Sequence, residues 1–271
     1  MTKIFLDSGD PKETKVALKL LGTLDGQTTN PSLFAKNPAV AGKKFTQKEI
    51  YQEYKKIVIE ISQLIPQGSI SIEVYADHKT EAQEIITKAL EMNTWIPNAR
   101  IKLPINQAGL KAAEFLVKQG VKINMTLCFT QEQAAAVYLA TQGAKKGDVF
   151  LSPFIGRLDD IGINGLDLIK NCVKMFKNSD GHVEVLAASI RNLGHLLGSI
   201  YIGADIVTAP LSVYQEWRKF KEINYQEINL NQPWEKINIQ HDLTKTGIDR
   251  FCADWNNLVE PEGFEPSTSS M

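Results

Sequence analysis

The sequence predicts a (β/α)8 barrel, and three observations carry that expectation. Eight short β-like runs recur along the chain, at residues 3–6, 22–27, 69–74, 100–103, 121–125, 149–152, 183–187 and 206–208. Stretches of helical periodicity separate them, which implies βα units and a parallel sheet. Eight such units in roughly 250 residues match the size of this barrel. A doubly wound open sheet is the alternative. If it held a dinucleotide it would carry a Gly-rich fingerprint after its first strand. Here Leu6 is followed by Asp7-Ser8-Gly9-Asp10-Pro11, which is no such fingerprint.

The helical stretches carry start and stop signals in order. Thr46-Gln47-Lys48-Glu49 is a capping-box pattern ahead of Ile50, Tyr54, Ile57, Ile61 and Leu64 at helical spacing. Asn106 opens a run through Leu110, Ala113 and Val117, and Gly120 is placed to end it. Thr130-Gln131-Glu132-Gln133 caps an Ala-rich run that stops at Gly143. Residues 1–258 are expected to form one barrel, the catalytic domain. Residues 259–271 are rich in Pro, Ser and Glu with a single aromatic, too little apolar area to offset ordering entropy, so a disordered tail is expected there.

Composition narrows the function classes. Thirty basic against thirty-one acidic side chains leave a net charge of −1, which argues against a predominantly electrostatic nucleic-acid binder. The three cysteines form no CxxC pair and cannot all pair within the chain, favouring a reducing cytoplasm. The first residues reach a charge too soon for a signal peptide, and no apolar run approaches the ~18 residues of a membrane span. The histidines at 78, 182, 195 and 241 show no metal-binding spacing, so no metal is expected.

In such a barrel the chemistry sits where strands exit at the C-terminal face. Reading those exits in order gives Asp7, Thr28 and Asn30, Glu73, Lys102, Asn124 and Thr126, Ser152, and Ser189. The eighth strand carries only Thr208. Desolvation in a barrel mouth disfavours the charged form of a lysine, and a neutral amine attacks a carbonyl carbon to form a Schiff base. Lys102 stands in that position; the alternative is a lysine paired with Asp7 or Glu73, or snorkelling to solvent. Asp7 and Glu73 suit general acid–base work on such an imine, although Asp7 could instead cap a helix, a job for which Ser8 and Asp10 compete. Arg157 and Arg191 follow strands six and seven, and loops near strands seven and eight of such barrels often hold phosphate, which two guanidiniums would bind; the alternative is two surface arginines.

These segments resemble one family in the correct order. Ile4-Phe5-Leu6-Asp7-Ser8-Gly9-Asp10, Thr28-Thr29-Asn30-Pro31-Ser32, Ile72-Glu73-Val74, Ile101-Lys102-Leu103-Pro104, Ile123-Asn124-Met125-Thr126-Leu127, Leu151-Ser152-Pro153-Phe154-Ile155-Gly156-Arg157 and Ala187-Ala188-Ser189-Ile190-Arg191 are similar to the transaldolases. Those belong to the class I aldolase barrels, with fructose-6-phosphate aldolase. The resemblance spans residues 3–214 and, more weakly, 244–255, which looks like the family's closing helix.

The resemblance implies roles. Lys102 would form the Schiff base with C2 of a ketose phosphate, and Asp7 would take the C4 hydroxyl proton as C3–C4 breaks. Glu73, through a water held with Thr126, would move protons during imine formation and hydrolysis. Asn30 and Asn124 would orient substrate, with Thr28, Ser71, Ser152 and Ser189 in support, and Arg157 and Arg191 would hold the phosphate. Fructose-6-phosphate aldolases carry Gln where this chain has Glu73 and Tyr where it has Phe154, so both positions point to transaldolase. The implied activity moves dihydroxyacetone from sedoheptulose 7-phosphate or fructose 6-phosphate to glyceraldehyde 3-phosphate or erythrose 4-phosphate, in the non-oxidative pentose phosphate pathway. It needs no metal or organic cofactor and takes small sugar phosphates as partners, not nucleic acid or membrane; a homo-oligomer is compatible with the length. An aldolase releasing free dihydroxyacetone and a non-catalytic sugar-phosphate-binding barrel are the alternatives. Cys128, two residues past Thr126 on a strand's alternating count, is expected on the same side, with a thiol sensitive to modification.

Overall fold

A computed structural model describes residues 1–221 and 226–258. They divide into two compact units, the first ending at Lys221. The first holds β1 (Lys3–Asp7), α1 (Pro11–Leu21), β2 (Gly26–Thr28), α2 (Pro31–Lys36), α3 (Gln47–Leu64), β3 (Ser69–Glu73), α4 (Ala82–Asn93) and β4 (Ala99–Pro104). It continues with α5 (Gln107–Lys118), β5 (Ile123–Cys128), α6 (Gln131–Ala140), β6 (Val149–Pro153), α7 (Ile155–Asp159), α8 (Gly165–Phe176), β7 (Val183–Ala187), α9 (Leu193–Ile202), β8 (Ile206–Ala209) and α10 (Leu211–Lys219). The second unit contains α11 (Asp242–Asn256), the helix expected at 244–255, capped by the His241 side chain. The tail expected at 259–271 lies outside the described residues.

All eight strands are parallel and close in sequence order, β8 pairing back onto β1 with Lys3 opposite Ile206 and Leu6 opposite Ala209. The predicted caps form: Thr46 and Glu49 make a reciprocal capping box, as do Thr130 and Gln133. Asp10, not Asp7, caps α1, which leaves the Asp7 carboxyl free for the barrel mouth.

Alternation along the strands builds the interior in layers. Phe5, Phe150, Leu186 and Ile206 pack together low in the barrel, and Asp7, Ser152 and Thr208 each lie two residues further along the same strands as one of them. Phe5 needs Gly26 opposite it, because a Cβ there would lie 2.5 Å from Phe5 Cζ and against the Ser69 carbonyl. The larger apolar core lies between the sheet and its helices, around Ile61, Ile101, Leu116 and Ile169.

Two strands depart from the sequence reading. The second begins at Gly26 rather than 22, because Gly22 (φ 87°) ends α1 by donating to the Leu18 carbonyl. The fifth runs two residues late and bulges between Met125 and Cys128, with Leu127 at φ 64°. That bulge defeats the alternating count for Cys128. Its side chain is fully buried in the outer core, donates to the Thr130 carbonyl, and burial pushes its thiol up to about 12. A buried thiol held protonated is a poor nucleophile, so the expected sensitivity is corrected.

Candidate active site

The strand exits open into a cavity of about 400 Å3 lined by Asp7, Thr28, Asn30, Glu73, Lys102, Thr126, Ser152, Phe154, Arg157, Ser189, Arg191 and Thr208, among others. Eleven of the thirteen residues singled out for the site thus share one cavity. Ser71 and Asn124 are the exceptions. Both are wholly buried in the barrel, where Ser152 Oγ donates to Asn124 Oδ1 (2.6 Å) and Asn124 Nδ2 donates to Ser71 Oγ (3.0 Å).

Lys102 is 3% exposed, between buried Ile101 and Leu103. Its Nζ lies 3.0 Å from Glu73 Oε2 and donates to the Thr29 carbonyl at 3.4 Å. The lysine is therefore both paired and directed into the cavity. A buried ammonium needs such partners, and a carboxylate at this distance can also receive its proton. Tyr54, from α3, sets the backbone behind this pair. The Glu73 N–H donates to its phenol oxygen at 3.1 Å, and the phenol also bonds the Thr29 hydroxyl, which donates to the Ser71 carbonyl at 2.8 Å. Burial pushes the Tyr54 phenol well above its usual value, so it stays a neutral donor.

Asp7 is partly open to the cavity. Desolvation raises its carboxyl above the usual 3.8, and Lys102 and the Thr28 hydroxyl oppose that rise. Thr28 donates to Asp7 Oδ1 at 2.6 Å, and its own oxygen lies 2.7 Å from the Thr208 hydroxyl. Asn30 caps α2, its Oδ1 accepting from the Leu33 N–H at 2.9 Å. Thr126 Oγ1 is buried and has no hydrogen-bond partner among the described residues, an orphan facing the cavity. A water is the natural partner for such a group.

The two arginines sit at the ends of β6 and β7. Ser189 adopts φ 59°, and the turn it makes is locked by the Gly156 N–H donating to the Ser189 carbonyl at 3.1 Å. Arg191 then crosses Gly156 and pairs through both terminal nitrogens with Asp160, one bond being 2.6 Å, which holds the Asp160 carboxyl below its usual range. Arg157 lies 5.2 Å from the centre of the Phe154 ring. His195 Nε2 reaches Asp159 at 2.7 Å, fixing the end of α7 beside the start of α9. Sequence reasoning assigned no role to Tyr54, Thr29, Gly156 or Asp160; Thr29 and Gly156 stand inside the family-like motifs and Asp160 three residues past Arg157, whereas Tyr54 looked like one more core position of a helix. Among the described residues no cluster of three or more His, Cys, Asp or Glu side chains is placed to hold a metal, and no helix is long and apolar enough to cross a membrane.

Comparison with known proteins agrees with this geometry. A solved thiamine phosphate pyrophosphorylase from Pyrococcus furiosus is similar in fold, with a TM-score of 0.50 at 13% identity over 80% of this chain and 94% of that one. That likeness speaks for the barrel alone. A probable transaldolase from Dehalococcoides mccartyi is 36% identical over 94% of this chain and 99% of its own length. Another from Herpetosiphon aurantiacus is 37% identical over 95% and 96%, and one from Brucella ovis 38% over 93% and 96%. The model of the Transaldolase/Fructose-6-phosphate aldolase family matches residues 4–261, and with nearly the whole chain so aligned, the protein belongs to that family of transaldolase-type enzymes.

Proposed function

We propose that this protein is a transaldolase that carries a dihydroxyacetone unit on Lys102. The observation that carries the reading is a buried lysine between two carboxylates, Glu73 at 3.0 Å and Asp7 across the cavity, beneath two arginines. In the first step Glu73 relieves Lys102 of its proton, and the free amine attacks C2 of sedoheptulose 7-phosphate or fructose 6-phosphate. The resulting carbinolamine loses its hydroxyl as water to give the protonated imine. Glu73 supplies that proton through a water seated on the orphan Thr126 hydroxyl.

Asp7 then takes the C4 hydroxyl proton. The C3–C4 bond breaks, its electron pair moves into the imine, and the shortened aldose phosphate leaves. The lysine-bound enamine attacks the carbonyl of glyceraldehyde 3-phosphate or erythrose 4-phosphate, and Asp7 returns its proton to the new hydroxyl. Water releases the product ketose. Asn30, whose Oδ1 serves the α2 cap, presents its amide nitrogen to substrate hydroxyls, and Ser152 and Ser189 assist. Asn124 and Ser71 support from within the barrel, and Arg157 and Arg191 hold the phosphate. The imine supplies the electron sink, so the reading requires no metal or organic cofactor. It assigns catalysis to the barrel and places the reaction among soluble sugar phosphates of the cytoplasm, in the non-oxidative pentose phosphate pathway.

Phe154 and Glu73 favour transfer over release of free dihydroxyacetone, since Phe154 offers no hydroxyl to hold a hydrolytic water. Borohydride reduction in the presence of fructose 6-phosphate, followed by peptide mass spectrometry, tests the mechanism. A three-carbon adduct on Lys102, absent from Lys102→Ala, is expected. Folded protein with no adduct on any lysine would sink it in favour of a binding barrel. Free dihydroxyacetone formed without an acceptor aldehyde would move the assignment to an aldolase.

A further inference from the structure

We propose that Thr208 is a positioning residue for the Asp7 carboxylate, acting through the Thr28 hydroxyl. The inference rests on the transaldolase reading, in which Asp7 moves the C4 proton. Strands β2 and β8 flank β1 on either side, and Thr28 and Thr208 reach from them to meet in front of it. Thr28 Oγ1 is 2.6 Å from Asp7 Oδ1 and 2.7 Å from Thr208 Oγ1, and both threonines are 2% exposed. Geometry alone leaves the donor of the second bond open, but chemistry fixes it. An ionised carboxylate only accepts, so the single Thr28 proton goes to Asp7, and the Thr28 oxygen must accept from Thr208.

The order of donation matters in both halves of the reaction. With Asp7 ionised, the proton supplied by Thr208 polarises the Thr28 hydroxyl and strengthens its bond to the carboxylate. Once Asp7 has taken the C4 proton, that proton can be shared towards Thr28. The chain then reverses, Thr28 donating to Thr208 and Thr208 turning its own proton to the cavity that it lines. Every buried hydroxyl stays bonded in either direction, so the change of protonation strands no polar group. A valine at 208 would remove both arrangements while keeping the shape.

Charge around Asp7 comes from other elements. Lys102 on β4 favours its ionised form, whereas Glu73 on β3 and Glu13 on α1 oppose it. Tyr214 on α10 donates its phenolic proton to the Phe5 carbonyl, behind the same strand. Neither β2 nor β8 brings a charge to this point. Loss of the Thr208 hydroxyl therefore acts through the hydrogen-bond chain alone.

The test is the pH dependence of kcat/KM for transfer from fructose 6-phosphate to erythrose 4-phosphate. Weaker donation to Asp7 disfavours its charged form, so in Thr208→Val the acid limb should move to higher pH, by about 0.3–0.6 unit. At its optimum kcat should fall about threefold to tenfold, with KM changed less than about twofold. Thr208→Ser should bring the limb back. An unmoved acid limb in an active Thr208→Val enzyme, whatever its Tm, would overturn the inference and leave the transaldolase reading standing. A folded wild-type protein without transfer activity would remove both. Should the valine variant not fold, Thr208→Cys, whose thiol is a weaker donor, carries the same expectation and the same refutation.

Discussion

Holding Asp7 ionised in the folded protein costs more than in the unfolded chain, because burial raises its carboxyl above 3.8. That cost is absent below the unfolded value, grows as pH rises through the raised one and is complete at neutral pH. Asp7→Asn should therefore raise Tm at pH 7, by about 2 °C or more, and lose that advantage as the pH is taken down towards 3–4. Transfer activity should vanish in the same variant. Calorimetry across pH checks the first part, and a Tm at pH 7 equal to or below that of the wild type would contradict it. Lys102, Asp7 and Glu73 were legible before folding because a charge at the end of an apolar strand has few uses. Tyr54 and Thr208 were not. A phenol in a helix beside Ile57 and Ile61 reads as core, and a lone threonine carries no chemistry until Thr28 stands 2.7 Å away.

Among the elements, the turn joining β6 to α7 seats Arg191, one of the two arginines proposed to hold phosphate. Gly156 lets Arg191 pass; a Cβ there would stand 2.6 Å from Arg191 Nε and collide with the Ser189 carbonyl. Arg191→Ala should raise KM for fructose 6-phosphate about tenfold or more, in line with loss of a charge-assisted bond, and leave KM for unphosphorylated dihydroxyacetone nearly unchanged. Gly156→Ala should shift the same constant in the same direction by displacing the guanidinium. Equal losses on both substrates would contradict a phosphate role. The starts of three helices were legible from caps at Thr46, Asn106 and Thr130, whose side chains do cap α3, α5 and α6. Boundaries failed where glycine or a bulge intervened, at Gly22 and at Leu127. A positive φ is decided by tertiary fit, and at Leu127 no residue preference announces it.

Over the whole barrel, the end opposite the cavity is built for cohesion. Arg100 lies two residues before Lys102 on β4 and is 4% exposed. It donates to Ser69 Oγ and to the carbonyls of Ile123, Gly147 and Asp148, with its guanidinium 3.4 Å over the Phe150 ring. Arg100→Met should cost about 3 kcal/mol, since those acceptors lose their donor inside the protein, and lower Tm by about 6–12 °C. A thermal scan showing no loss would refute it. The eightfold βα count made the closed sheet legible from sequence, whereas this plug was not, because an arginine inside a β-like run has no partner in sequence. The pairing of β1 with β8 has a consequence on the ribosome. The edge of β1 must wait for roughly 200 further residues before Ile206–Ala209 emerge to cover it. At ordinary rates of elongation that is about 10–40 s during which a nascent chain carries an open seam, a template for pairing with its neighbours. The charge of Lys3 stands on that edge, unpaired until the chain has reached β7 and made Glu184, its ion-pair partner.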